Sequence, residues 1–408
     1  MKNKIVAALS AIGPGLFLIG YNIGTGSITT MAKAGAEYGM SLFWALILSC
    51  IFTYILMVAY GQMTLVSGRT ALFNIKSQLK GGKLLALYII TALIIGEVLA
   101  LIGIMGIVAD LVQEGIRLLT DGFMVKPGWI ILVLVVFLYF ILWFGRYKIF
   151  EKILTIFVIL MALCFIVVFF LVKPSLSTIV EGMIPGIPDT PGALGLVAAM
   201  AGTTCSAAVF IMRSTVVVEK GWTSDDLKTE KQDSLISATM MLFLSGIIMA
   251  VSAGTLHLMG LRLNNTVEMI NLFEPLGGRL AAFLLILGIV GAGLSTVFPI
   301  VLIAPWLISD FTGKPRDIHS TLYRTLILAG LLFAFTSIFL RQSPPFLMIF
   351  SQAFQAAILP AVAIPILILL NRKNIMGNNQ ASFRTNIGLI AVIIFAFITT
   401  YFAIVDFF

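Results

Sequence analysis

The chain has 408 residues, of which 60% are hydrophobic and only 11% charged. A soluble globular protein of that length has no way to hide so much apolar surface, so that class is excluded. The net charge of +8 sits mainly in short segments between apolar runs, which excludes a nucleic-acid footprint and reads as membrane orientation.

Apolar length predicts eleven membrane spans, at 7–32, 41–66, 84–109, 128–144, 149–173, 193–218, 234–260, 279–310, 320–341, 345–371 and 384–406. Met1-Lys2-Asn3-Lys4 leads directly into the first, with no small-residue cleavage site ahead of polar sequence. The first span reads as an apolar helix until Asn22-Ile23-Gly24-Thr25-Gly26-Ser27, where two glycines among small polar residues end its helix propensity. Backbone groups freed there need protein or a cavity to satisfy them, so the break predicts either a binding site or a packing kink.

Charge then sets the topology. With the N-terminus on the cytoplasmic side, 19 of the 26 Lys and Arg residues fall on that face and 7 on the other, and an odd number of spans leaves Phe408 outside. The expected location is the inner or plasma membrane of a prokaryote. The segments from Lys173 to Pro191 and from Gly260 to Gly278 read as surface helices, lids or plain connectors. Cys50, Cys164 and Cys205 all lie within apolar runs and read as packing residues rather than disulfide partners.

The sixth span is interrupted at Gly202-Thr203-Thr204-Cys205-Ser206, much as the first is interrupted at Gly24 to Ser27. Five spans separate the two breaks, and an odd number reverses direction. Residues 1–173 and 193–371 therefore read as an inverted repeat, with 384–406 added as an eleventh helix. The expected fold is all-α and polytopic, of LeuT type, in a single transmembrane domain over 1–408. Two half-helix ends would face one cavity, offering N–H groups and carbonyls.

At this point the residues resemble a known family. Gly13-Pro14-Gly15-Leu16-Phe17 with the run Ala34 to Ser49 is similar to the opening of the Nramp divalent-metal transporters. The run Ser351 to Gly377 resembles their tenth span and its exit, and Gly96-Glu97-Val98-Leu99 resembles their third. The similarity covers nearly the whole chain. It implies eleven or twelve helices, the same inverted repeat and alternating access.

The family's metal ligands do not carry over. Its Asp-Pro-Gly-Asn at the first break is here Gly24, Thr25, Gly26 and Ser27. Its Met-Pro-His in the sixth span aligns with Ser206-Ala207-Ala208, with Cys205 as the alternative by one residue. Its third-span Asp is Ile94, leaving Glu97; Gln352 and Arg324 stand where the family has a glutamine and an arginine. The substrate-binding set is then Tyr21, Gly24, Thr25, Gly26, Ser27, Thr203, Thr204, Cys205, Ser206 and Gln352. No firm metal ligand is named, the nearest candidates being Ser27, Ser206 and Gln352.

Four substitutions that shrink side chains around one point predict an enlarged, uncharged, hydroxyl-lined chamber, unless Tyr21, Phe210 or Phe354 refills it. A dehydrated divalent ion needs nearby charge or many oxygens, so such a chamber suits a small organic solute or a hydrated cation better. Glu97 is the acid deep within a span, and it reads either as a proton site or as one half of an ion pair with Arg213 or Arg324. His257 reads as a hydrogen-bonded packing residue.

The expected function is an Nramp-like secondary transporter or symporter with an unusual cargo. The alternatives are a divalent-metal transporter of Mn, Fe or Mg, true to the family, and a non-transporting sensor on the same fold. No nucleophile–base pair of recognisable spacing appears, so an enzyme is not expected. No cofactor is expected beyond a coupling ion, H+ or Na+. The expected partners are the lipid bilayer and a small solute or cation, with no nucleic acid and with a monomer sufficient.

Overall fold

The computed structural model describes residues 24–120, 122–144, 147–314, 317, 319–340 and 342–407. The first half of the first span, and Tyr21 with it, lies outside the described residues. The helices in chain order are α1 (Thr25–Tyr38), α2 (Phe43–Ser67), α3 (Ala71–Gln78), α4 (Gly82–Leu119), α5 (Pro127–Trp143) and α6 (Tyr147–Val172). There follow α7 (Leu176–Glu181), α8 (Ala193–Thr204), α9 (Ala207–Glu219), α10 (Leu227–Gly254) and α11 (Gly278–Thr312). The last are α12 (Thr321–Leu332), α13 (Thr336–Phe339), α14 (Pro344–Leu370), α15 (Lys373–Met376) and α16 (Phe383–Phe407).

Among the described residues, eight helical segments are long and apolar enough to cross a bilayer, counting α8 and α9 as one and α12 to α13 as one. Two shorter apolar helices (Pro127–Trp143 and Val158–Val172) and α1 complete the eleven expected segments. Every backbone group within the bilayer has to be satisfied inside the chain, which is why these runs are almost entirely helical. Pro127 and Pro344 open α5 and α14, where the missing N–H costs nothing.

Three boundaries differ from the expected ones. The third span runs to Leu119 rather than ending near 109, because Asp110, Glu114 and Arg117 continue the helix as a polar tail. Glu114 and Arg117 pair along it at i, i+3. The seventh begins at Leu227 rather than 234, because Glu230 and Asp233 in its first turns are buried against a partner charge. The ninth is broken by a 3-10 turn over Phe333–Phe335. The two long connectors hold α7 and a 3-10 helix over Thr266–Leu276, so they are surface helices in part.

The sixth span is broken as expected, but more narrowly. α8 ends at Thr204, only Cys205 and Ser206 leave the helical region, and α9 starts at Ala207. The break lies where two apolar clusters meet, with Met200 in one and Cys205 in the other. Thr53 on α2 donates to the Thr204 carbonyl at 2.9 Å and so satisfies one group the break sets free. At the first break, Thr25, Gly26 and Ser27 are already helical, and Gly24 is the extended residue ahead of them.

Glycines allow close helix approach, Gly202 and Gly35 among them. A Cβ on Gly202 would lie 1.7 Å from the Gln352 carbonyl oxygen, which fixes α8 against α14. A Cβ on Gly35 would lie 2.3 Å from the Met249 carbonyl oxygen, which fixes α1 against α10. The α1–α10 seam also carries polar contacts. Ser27 Oγ meets Ser245 Oγ at 3.2 Å, Ser252 donates to the Ala32 carbonyl, and His257 Nδ1 lies 2.8 Å from the Ala36 carbonyl oxygen. His257 is thus a hydrogen-bonded packing residue. All three cysteines are free thiols, Cys50 and Cys205 fully buried.

Candidate functional site

The start of α1 and the sixth-span break line one cavity of about 30 Å³. The start of α1 supplies Gly24, Gly26 and Ser27; the sixth-span break supplies Thr203 and Ser206. Helix α4 contributes Glu97, Ala100 and Ile104, α11 contributes Thr296 and Ile300, and α14 contributes Met348, Gln352 and Gln355. The cavity therefore gathers seven of the residues expected from sequence and adds six that were not.

Thr25, Thr204 and Cys205 are buried beside the break but do not line the cavity. The Thr204 carbonyl is taken by Thr53, and the Thr25 hydroxyl points toward α11, where a Cβ on Gly293 would lie 2.8 Å from it. Tyr21 lies outside the described residues. Phe210 is fully buried and stacks on Tyr60 with ring centroids 5.9 Å apart, away from the cavity wall.

The expected enlarged, hydroxyl-lined chamber differs from the observed one in size and in its lining. A space of about 30 Å³ has room for one or two waters or a bare ion, not for an amino acid. The volume lost at the breaks is refilled from other helices. Thr296 stands where a Cβ on Gly24 would point, 2.1 Å from its Oγ1, and Met348 Cε stands 2.7 Å from where a Cβ on Gly26 would point. Neither Phe210 nor Phe354 does the filling.

The wall is not free of acid groups either, because Glu97 belongs to it and is 4% exposed. Gln355 Nε2 donates to Glu97 Oε1 at 2.8 Å. Neither arginine named from sequence is its partner. Arg213 is held by Glu230 and Asp233, and the half-buried Arg324 stacks on Trp143 with its guanidinium 3.6 Å from the ring centroid. The cavity thus combines a carboxyl group, a thioether, two carboxamides and four hydroxyls. The N-termini of α1 and α9 add roughly half-charges of positive sign, a smaller term than the full charge of an ionised Glu97. No cluster of three or more His, Cys, Asp or Glu side chains occurs among the described residues.

Sequence reasoning missed Met348 and Gln355, although a signal existed. Met348, Gln352 and Gln355 stand at i, i+4 and i+7, one face of a helix, so recognising Gln352 implied the other two.

Comparison with known proteins agrees with this architecture. A family model described as natural resistance-associated macrophage protein-like matches residues 15–406. The divalent metal cation transporter MntH of Pectobacterium carotovorum is 24% identical over 374 residues, covering 90% of this chain and 87% of its own. The MntH of Deinococcus radiodurans is 24% identical over 401 residues, covering 95% and 88%. The Eremococcus coleocola manganese transporter superposes with a TM-score of 0.76 at 14% identity, over 98% of this chain and 86% of that one. The nucleobase-cation-symport transporter Mhp1 superposes at 0.62 and 14% identity, over 96% and 92%. The fold is the LeuT type, shared across transporters of different cargo. With the family model spanning nearly all of it, this chain is a member of the Nramp family of membrane transporters.

Proposed function

We propose that this transporter moves a small divalent cation by alternating access, with Glu97 and Met348 in place of the family's first- and sixth-span ligands. The observation that carries the reading is Glu97 in the wall of a cavity with room for little more than one ion. A divalent ion stripped of water needs nearby negative charge, and Glu97 supplies it. Met348 adds a thioether, the donor type that favours softer transition metals, and Gln352 and Gln355 add amide oxygens. The named relatives, divalent metal cation and manganese transporters, support the same class of cargo.

Ser27, Ser206 and Gln352 act here as neutral oxygens around the ion. Residues 1–173 and 193–371 act as the two halves that rock about the cavity, with the N-terminus cytoplasmic. Protonation of Glu97 removes the charge that holds the cation, so a proton and the cargo compete at one group. Arg213 and Arg324 have no part in that exchange.

Purified protein in liposomes tests this. Uptake of radioactive manganese that is saturable, inhibited by cadmium and lost on Glu97→Gln supports the reading. Absence of manganese, magnesium and cadmium flux, with uptake of an amino acid or organic cation instead, overturns it. Absence of any flux would favour a sensor.

A further inference from the structure

Away from the cavity, at the α9–α10 contact, lies a charge cluster sealed from water. Arg213, Glu230 and Asp233 have side chains 0%, 0% and 2% exposed. Arg213 Nη1 donates to Asp233 Oδ2 at 2.6 Å, and its Nη2 donates to Glu230 Oε1 at 2.8 Å. Ser234 Oγ also donates to Glu230 Oε1, at 3.0 Å. Every donor converges on one oxygen of each carboxyl group. The other two, Glu230 Oε2 and Asp233 Oδ1, are buried with no hydrogen-bond partner.

Charge does not balance in this arrangement if both acids are ionised. One guanidinium faces two carboxylates, and a surplus buried charge costs several kcal/mol, so a group in that position takes up a proton instead. Among the described residues, no cation other than Arg213 forms an ion pair with either acid. From α10, Lys228 and Lys231 are exposed; from α9, Glu219 and Lys220 are exposed; from the turn before α10, Asp225 is exposed and Asp226 caps Thr223. From α2, Arg69 is exposed and stacks on Phe73, and the residue facing the cluster is Gly61. A Cβ on Gly61 would lie 2.1 Å from Glu230 Oε1, so bare backbone closes the cluster on that side.

We propose that Glu230 and Asp233 share one bound proton at neutral pH, making the α9–α10 contact a second proton site separate from Glu97. The step is simple in balance: one carboxylate takes a proton from water to become the acid, leaving the pair with a single negative charge opposite Arg213. Parting α9 from α10 admits water, and the proton returns to it. A proton site on the half-helix that runs from the break gives the transporter a coupling group that does not touch its cargo. The proposal stands whatever the cargo is.

Infrared difference spectroscopy of the full chain in lipid, at neutral pH, tests it. The wild type is expected to show a protonated-carboxyl stretch that disappears in Glu230→Gln and equally in Asp233→Asn, since either amide leaves one carboxylate to balance Arg213. The double amide variant should unfold more readily than either single one. A protonated-carboxyl signal unchanged by both single substitutions would mean two ionised groups and would overturn the proposal. Should an amide variant fail to fold, Asp233→Glu keeps a carboxyl in place and should move the band; an unmoved band counts against the site just as firmly.

Discussion

Gln355 Nε2 donates to Glu97 Oε1 at 2.8 Å, so the acid of α4 is tied to a residue of α14 rather than to an arginine. That hydrogen bond links α4 to α14 across the cavity and places the carboxyl in its wall.

Replacing that acid by its amide should separate charge from shape. Glu97→Gln keeps the volume and a hydrogen bond to Gln355, but it removes the negative charge from the wall. Manganese binding is expected to weaken by at least about tenfold, or 1.4 kcal/mol. In the wild type, binding should also weaken as pH falls, because protonating Glu97 removes the same charge; in the variant that dependence should flatten. Calorimetric titration across pH reads both, and an unchanged profile would remove Glu97 from the site.

Thioether and hydrocarbon of equal size can be compared at Met348. Met348→Leu conserves volume, so folding should change by less than about 1.5 kcal/mol. Selectivity should change more than stability: cadmium is expected to lose affinity relative to magnesium, since only the softer ion gains from sulfur. Competition uptake of the two ions provides the measurement, and equal loss for both would show that the sulfur is merely packing.

Restoring the family's acid at the first break is harder than the alignment implies. A Cβ on Gly24 would lie 2.1 Å from Thr296 Oγ1, so Gly24→Asp alone should destabilise the fold by about 1–3 kcal/mol through overpacking. Gly24→Asp combined with Thr296→Gly should regain stability and bind manganese more tightly than the parent. Thermal unfolding and calorimetry on the single and double variants check the two halves of this expectation.

The narrow break of the sixth span should be sensitive at Thr53. Thr53→Val removes the donor to the Thr204 carbonyl and leaves a buried acceptor unmet, at a cost of about 1–3 kcal/mol. Thermal unfolding reads the loss. A variant as stable as the parent would mean that water replaces the hydroxyl.

Eleven apolar runs, two small-polar interruptions five spans apart and the acid at Glu97, deep within an apolar run, were all legible in the chain. Apolar length reports on the bilayer directly, and glycine with small polar residues reports on local helix strength, so both need no knowledge of neighbours. Alignment likewise located Gly24, Gly26, Ser27, Ser206 and Gln352, which the structure gathers around one cavity. Helix ends were read less well. Asp110 and Glu230 look like loop residues by composition, yet each is part of a helix, α4 and α10 respectively.

By itself, then, the sequence determined a broken-helix membrane fold and the point where its interruptions would meet. Only the tertiary structure decided the size and charge of the space between them. A missing side chain leaves a void only if nothing nearby moves in, and here Thr296 and Met348 stand where those side chains would have been, while Glu97 from a third helix forms part of the wall. Which helix fills a gap depends on crossing distances between distant segments, and a one-dimensional pattern carries no record of those distances.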